Sequence, residues 1–277
     1  MSHLETRRNW TEAASHWARH ADRIARMTRP ATAALLDALA LVPGLEVLDV
    51  ASGVGDPALA IAERVGPAGS VIATDEVPAM LATLAARART LGLSGVVTRH
   101  VPAEDLDLEA CVDRVSCRFG AMFFAQPERA LAAMRRAARP RARLALVVWG
   151  RRERNPYFTE APAVLDALGV PPDAAPPERT VFEWSEPGAL AARVRAAGWG
   201  SVRESVHPFT LALPDVGAAD LFDFLCDMSR TVRTRVERLD EPWRARLAGA
   251  VAQRMAAFEV ESGLAFPAEF TLVVAVA

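Results

Sequence analysis

The densest chemistry in the chain lies in Val47-Leu48-Asp49-Val50-Ala51-Ser52-Gly53-Val54-Gly55-Asp56-Pro57. A β-rich run enters a turn with two glycines, and Pro57 suits the first position of a helix. Where such a turn meets a helix N-terminus, a doubly wound sheet binds its ligand, and Gly53 and Gly55 let backbone approach that ligand without a Cβ in the way. Two cofactor classes use this arrangement. Gly53-x-Gly55-x-x-Ala58 is an acceptable dinucleotide variant, with Asp75 at the end of the second β-run for a ribose hydroxyl. Asp75 serves a sulfonium nucleoside equally well. Asp49 separates the two. At the end of its strand it sets a negative charge in the crevice, which repels a pyrophosphate and attracts an ammonium or sulfonium. S-adenosylmethionine carries both cations and no phosphate, so the acid before the glycines favours it. A purely structural Asp49, holding the turn, is the competing reading.

Methyl transfer is an in-line displacement that depends mostly on positioning, with a base needed only for a protonated, weakly acidic acceptor. The base candidates are few. His16 and His20 stand four apart and share a helix face. Trp17 occupies the place where a zinc protease motif needs glutamate, so no metal site is expected. His207 closes a β-run, and His100 lies farther off. Arg154-Asn155-Pro156-Tyr157 resembles the Asn-Pro-Pro-Tyr string of amino-group methyltransferases but lacks one proline and follows the wrong strand. It is read as a loop whose Trp149, Asn155, Tyr157 and Phe158 contact substrate. Phe222, Phe224 and Met228 line an apolar helical face that serves either as core or as an acceptor lid; such a lid suits a hydrophobic or aromatic acceptor.

The elements that must position these groups follow from composition and periodicity. The chain has 277 residues, 51% hydrophobic and 24% charged, with a net charge of −2. That is globular composition near the size where one core stops growing, so one main domain with a lid or insert is expected. All 32 basic residues are arginine, which excludes Schiff-base enzymes and phosphate loops that need lysine. The three cysteines (Cys111, Cys117, Cys226) form no CxxC pair, so no zinc ribbon or disulfide framework is expected. With no basic stripe, no apolar run long enough to cross a membrane and a polar N-terminus, a cytoplasmic protein with a small-molecule partner is expected, without nucleic acid or membrane. Homodimer formation stays open.

Residues 1–42 read as helix, stopped by Pro43-Gly44. Strand-like runs at 46–50, 70–74, 95–101, 112–117 and 142–149 then alternate with helical patterns at 57–65, 78–91 and 127–138. That alternation predicts a parallel sheet covered on both faces. A helix at 187–197 leads into a strand at 201–207, residues 214–262 read as helix only, and 270–276 closes the sheet as an antiparallel edge or near-edge strand. The proline-rich stretch from Pro171 to Pro177 reads as loop.

Asp49-Val50-Ala51-Ser52-Gly53-Val54-Gly55 resembles the first motif of class I S-adenosylmethionine-dependent methyltransferases. It is most similar to their ubiquinone/menaquinone-biosynthesis-type small-molecule branch. The similarity runs on through Ala73–Leu81, Ala103–Leu106, Val115–Phe124 and Arg139-Pro140, covering Leu41 to Trp149. The resemblance implies an α/β fold: a doubly wound, mostly parallel seven-stranded Rossmann-like sheet with an antiparallel last strand. It implies an N-terminal helical lid (1–42), a cofactor domain (43–213 and 263–277) and a helical insert (214–262). Asp49, Ala51, Ser52, Gly53 and Gly55 would line the methionine end and ribose, and Asp75 would take both ribose hydroxyls. Glu76 and Met80 would pack around the adenosine, Ala103 and Glu104 would meet adenine, and Cys117, Arg118 and Phe119 would face the methyl donor. N-terminal helices cover the cofactor in such enzymes, which brings Trp17 to it. Two positions depart from the pattern: Pro102 replaces a common adenine-binding aspartate, and Pro140-Arg141-Ala142 replaces a Pro-Gly-Gly turn. The alternatives are a protein of this fold that binds the cofactor without transferring methyl, as a cyclase or structural partner, and an NAD(P)-dependent oxidoreductase.

Overall fold

A computed structural model describes residues 3–172 and 179–277. Five strands follow one another in parallel: β1 (Glu46–Val50), β2 (Ser70–Asp75), β3 (Val96–His100), β4 (Val112–Arg118) and the longer β5 (Ala138–Trp149). Two long strands follow, β6 (Gly200–Pro214) and, after the two-residue β7 (Glu259–Val260), β8 (Gly263–Val276). The order is β3-β2-β1-β4-β5-β8-β6, with β7 folded back on β8. β8 runs antiparallel to both β5 and β6. The expected antiparallel last strand therefore lies one strand in from the edge. The seven expected strands are present, and the β7 hairpin makes the sheet eight-stranded.

β6 and β8 are twice the length that apolar patterning suggested. β6 is an edge strand whose exposed residues include Arg203 and Ser205 and which carries Pro208 and Pro214. An edge strand tolerates proline and charge because one row of its backbone groups faces solvent. Residues 214–262, expected to be helix only, hold α9 (Leu221–Met228), α10 (Arg230–Val236) and α11 (Glu241–Met255) before turning into β7. The expected loop after β5 is instead helix α7 (Pro156–Ala167), with Pro162 inside it. Of the proline-rich stretch, residues 173–178 lie outside the described residues.

Helices α3 (Arg29–Leu39), α4 (Ala58–Val65) and α5 (Pro78–Thr90) cover one sheet face, where fully buried Leu35, Leu39, Ile61 and Leu84 meet Val47, Val71 and Val147. Each such side chain withdrawn from water contributes about 1.5–3 kcal/mol. On the other face lie α6 (Pro127–Ala137), α7, α8 (Ala189–Ala196) and the insert helices, around Leu131, Met134, Leu144, Leu146, Phe266 and Phe222. The chain's first helices, α1 (His3–Arg19) and α2 (Ala21–Met27), pack from α5 to α9 and β6. Among the described residues no helix is long and apolar enough to cross a membrane, and no cluster fits a metal ion.

Candidate cofactor and acceptor site

β1 runs into a turn that bends three times through the left-handed region: Ala51 (φ 55°), Gly53 (φ 52°) and Gly55 (φ 116°). For Ala51 this costs about 1–2 kcal/mol. Hydrogen bonds hold the turn shut: Ser52 N–H donates to Thr74 O (2.9 Å), Gly55 N–H to Ser52 O (3.0 Å), and Ser52 Oγ to Asp49 O (2.9 Å). The loop after β4 presses on it. A Cβ at Gly120 would lie 2.5 Å from Ala51 Cβ and 3.0 Å from Cys117 Sγ. Gly120 was not singled out in the sequence, where it follows a strand without a motif of its own.

Two carboxylates flank the turn. Asp75 accepts from Gly53 N–H with one oxygen and from Val77 N–H with the other, both at 2.9 Å. Burial raises its pKa, offset in part by those two N–H groups. It holds the glycine turn in place and keeps further lone pairs for a ligand hydroxyl. Asp49 is fully buried; Oδ1 accepts from Ser116 Oγ (2.6 Å), and Oδ2 has no partner. Burial pushes its pKa up to about 7, against the pull of Ser116, Ser52 and Arg118. A buried oxygen left unpaired costs about 1–3 kcal/mol, and an ammonium ligand would satisfy it. The donor set therefore fits S-adenosylmethionine: an unpaired acid for its cations, a ribose acid, and a turn open to close approach.

The end of β4 differs from expectation at two residues, Cys117 and Arg118. Cys117 is buried beneath the turn, its thiol pushed up by burial and by Asp49, so it is a packing residue. Arg118, expected to face the methyl donor, turns instead toward the lid. Its Nη2 meets Asp56 Oδ2 (3.0 Å) and Asp56 O (2.9 Å), while Nη1 donates to Thr28 Oγ1. Asp56 pulls it there because a buried guanidinium needs a carboxylate partner. Phe119 (φ 56°) stacks on Trp149 at 4.1 Å and 9°. Glu104 is engaged by the protein: its Oε1 accepts from Gln126 N–H at the start of α6 (3.0 Å), while Ala103 packs beside it in the core.

The first helices pack over the turn. Trp10, Ala14, Trp17 and Ala21 pack in one cluster with Val54, Val77 and Met80 beside the glycine turn. Glu76, next to Asp75, accepts from His100 Nε2 at its carbonyl (3.1 Å). Arg87 of α5 fastens the lid, donating to Val54 O (2.7 Å) and to Asp22 of α2 (2.9 Å).

His16 and His20 do come together, around a residue that was not foreseen. Asp227 of α9 takes His20 Nε2 at 2.7 Å and Arg19 Nη1 at 3.0 Å on Oδ2. His16 Nδ1 stands 2.8 Å from Oδ1 without hydrogen-bond alignment. Burial alone would raise the Asp227 carboxyl, but His20, His16 and Arg19 hold it below the usual range. No pattern in the sequence marks Asp227, because its partners lie at the opposite end of the chain. His207 belongs elsewhere: it stacks on Phe270 (4.9 Å, 6°) with Ser205 Oγ 2.7 Å from its Nε2, against the α3 side of the sheet.

Three of the expected substrate residues are structural. Asn155 is buried and spends its amide on Arg151 O (2.9 Å), Glu269 O (3.2 Å) and Glu269 N–H (3.1 Å), locking β5 and α7 to β8. Tyr157 is buried against Phe266 (5.7 Å), and burial pushes its phenol up. Phe222 lies in the core, since the inward face of α9 must be covered. Trp149 and Phe158 form an aromatic wall, packed edge to face at 4.8 Å, with Phe182 5.8 Å beyond.

A family profile described as "Methyltransferase domain" matches residues 47–141. Nocamycin O-methyltransferase of Saccharothrix syringae is 32% identical over 200 residues, covering 69% of this chain and 71% of that protein. The ubiquinone/menaquinone biosynthesis C-methyltransferase UbiE of Bordetella parapertussis is 40% identical over 113 residues, 40% of this chain and 43% of that relative, so the match spans less than half its length. The crystal structure of YcgJ from Bacillus subtilis shares the fold with a TM-score of 0.57 at 16% identity, over 90% of this chain and 98% of that one. None of these likenesses favours a dinucleotide oxidoreductase. The glycine turn, its unpaired acid and these relatives converge: the chain belongs to the class I S-adenosylmethionine-dependent methyltransferases that act on small molecules.

Proposed function

We propose that the chain methylates a small, apolar, aromatic acceptor held between the wall of Phe119, Trp149 and Phe158 and the seam where α1 and α2 meet α9. The observation that carries this reading is the aromatic wall that starts at Phe119, just past β4, where the chain packs at Gly120 on the turn that follows Asp49. When bound, S-adenosylmethionine supplies an electrophilic methyl group on a sulfonium. Asp49 takes the ammonium, Asp75 orients the ribose, and Trp17, Val77 and Met80 cover the nucleoside and keep water out. Residues 1–42 act as the cap, 43–213 with 263–277 as the cofactor domain, and 214–262 as the wall of the acceptor chamber. Trp149 is covered by Phe119 and Phe209, so an aromatic acceptor would meet the wall at half-buried Phe119 and Phe158, where ring contact adds about 0.5–1.5 kcal/mol to burial alone. Quinone-like and polycyclic secondary-metabolite acceptors present such a ring. The relatives' names include both oxygen and carbon transfer.

The test is mass spectrometry of products after incubation with S-adenosylmethionine and two probe sets, naphthols with naphthoquinols and simple sugars. Addition of about 14 Da per transfer to the aromatic set, with release of S-adenosylhomocysteine, is the expected result. Transfer to sugars with none to aromatic probes would overturn it.

A further inference from the structure

Proton handling narrows the acceptor further. The groups near the site that could take a proton from it are mostly spent. Cys117 and Tyr157 are buried and held in their protonated forms. Asp75 is engaged by Gly53 and Val77. His207 stacks on Phe270 on the α3 side.

His20 is different. It follows α1 and caps α2, next to Ala21, which packs over the glycine turn with Val54 and Met80. Its Nε2 is bound to Asp227 at 2.7 Å, and its ring meets Phe224 of α9 edge to face at 4.9 Å. A carboxylate on one ring nitrogen fixes the tautomer, directs the other nitrogen away from it, and stabilises the imidazolium once a proton arrives. Around the pair stand Arg19 (3.0 Å from Asp227), His16 (2.8 Å from it), Arg23, whose guanidinium lies 5.2 Å over Phe224, and Asp223, one turn before Asp227 on α9. Arg233 donates to the Asp227 carbonyl (2.9 Å). A neutral hydroxyl gains negative charge on oxygen as its proton leaves, and the imidazolium formed beside Asp227 balances that charge.

Resting on the methyltransferase reading above, we infer that His20 is the general base, positioned by Asp227, and that the acceptor group is a hydroxyl, phenolic or enolic. The acceptor oxygen forms its bond to the methyl carbon with a lone pair. The carbon–sulfur bond breaks with its electron pair left on sulfur, and the hydroxyl proton passes to His20 Nδ1. The products are a methyl ether, S-adenosylhomocysteine and an imidazolium paired with Asp227, which returns its proton to solvent.

The experiment uses two phenols, 4-nitrophenol, largely ionised in mildly alkaline buffer, and 4-propylphenol, which is not. Initial rates are measured with wild type, His20→Gln and Asp227→Asn, alongside calorimetric binding of S-adenosylhomocysteine. His20→Gln is expected to lose about 10²–10³-fold in kcat on 4-propylphenol, within the range of general-base catalysis. KM should be nearly unchanged, and the loss on 4-nitrophenol below about tenfold on the same scale. Added imidazole should restore part of the 4-propylphenol rate. Asp227→Asn should lower kcat on 4-propylphenol far more than on 4-nitrophenol while S-adenosylhomocysteine affinity holds, a split that a mere clasp between helices would not give. Equal losses on the two phenols would overturn the assignment. So would methylation of an amine or carbon probe alone, or no transfer to either phenol by protein that binds S-adenosylhomocysteine. Wild type that fails to bind S-adenosylhomocysteine at all would refute the underlying cofactor reading instead.

Discussion

Replacing Asp49 with asparagine separates the cost of the buried acid from its use. The folded carboxyl sits at about 7 against an ordinary 3.8. Between those values the folded chain holds a proton that the unfolded chain has released. Stability of the ligand-free protein therefore falls as pH rises through this window, and the penalty is complete above pH 7. About three pH units at 1.4 kcal/mol each make roughly 4 kcal/mol. Asparagine keeps an oxygen for Ser116 and cannot ionise, but its amide leaves a buried donor unpaired, at about 1–3 kcal/mol. Asp49→Asn should thus be more stable than wild type at pH 8, by about 1–3 kcal/mol after that cost, and no more stable at pH 4. Ligand binding should move the opposite way. Wild-type affinity for S-adenosylhomocysteine should rise about tenfold per pH unit up to pH 7, then level off, because the ammonium requires the ionised acid. The Asp49→Asn variant lacks that charge, so its affinity should be flat with pH and about 10–100-fold weaker at pH 8, the worth of a charge-assisted hydrogen bond. Urea denaturation and calorimetry at pH 5, 6, 7 and 8 measure both. Parallel stability curves for the two proteins, or equal affinity at pH 8, would refute the reasoning.

Two further substitutions probe the frame of the site. Gly120→Ala sets a methyl group into the space of Ala51 Cβ and Cys117 Sγ; it should cost about 1–3 kcal/mol by overpacking and weaken S-adenosylhomocysteine in calorimetry, whereas an unchanged affinity would mean that the two loops do not set the turn. Asp56→Ala strands Arg118, whose side chain is only 5% exposed. It should cost about 3–5 kcal/mol in urea denaturation, and Arg118→Met added to it should recover part of that loss, as expected of coupled neighbours.

What could be read from sequence was what depends on neighbours along the chain. The glycine turn, Asp49 and Asp75 announce themselves because strand, turn and helix start are contiguous, and the first five strands alternate with helices in a pattern that periodicity detects. β6 did not, because half of it is an exposed edge where Pro208 and charged side chains carry no penalty. β8 was cut short by Pro267, which sits opposite Thr210 without ending the strand. Asn155 and Tyr157 drew attention through a string with catalytic associations, yet Asn155 is the joint between β5, α7 and β8. Asp227 illustrates the opposite failure. A lone acid on an amphipathic helix has no signature, and its meaning comes only from His16 and His20 across the fold. Arg118 shows a third kind. Its place after β4 was clear, but the direction of its side chain was set by Asp56 and Thr28, a competition that strand position does not reveal.

The central claim is that this turn binds a sulfonium nucleoside and not a dinucleotide. Calorimetric titration of the protein with S-adenosylhomocysteine, NAD and NADP, repeated on Asp75→Ala, tests it directly. Micromolar binding of S-adenosylhomocysteine alone, weakened at least tenfold or about 1.4 kcal/mol by Asp75→Ala, is the predicted result. Binding of NAD or NADP without S-adenosylhomocysteine, or an affinity indifferent to Asp75, would contradict it.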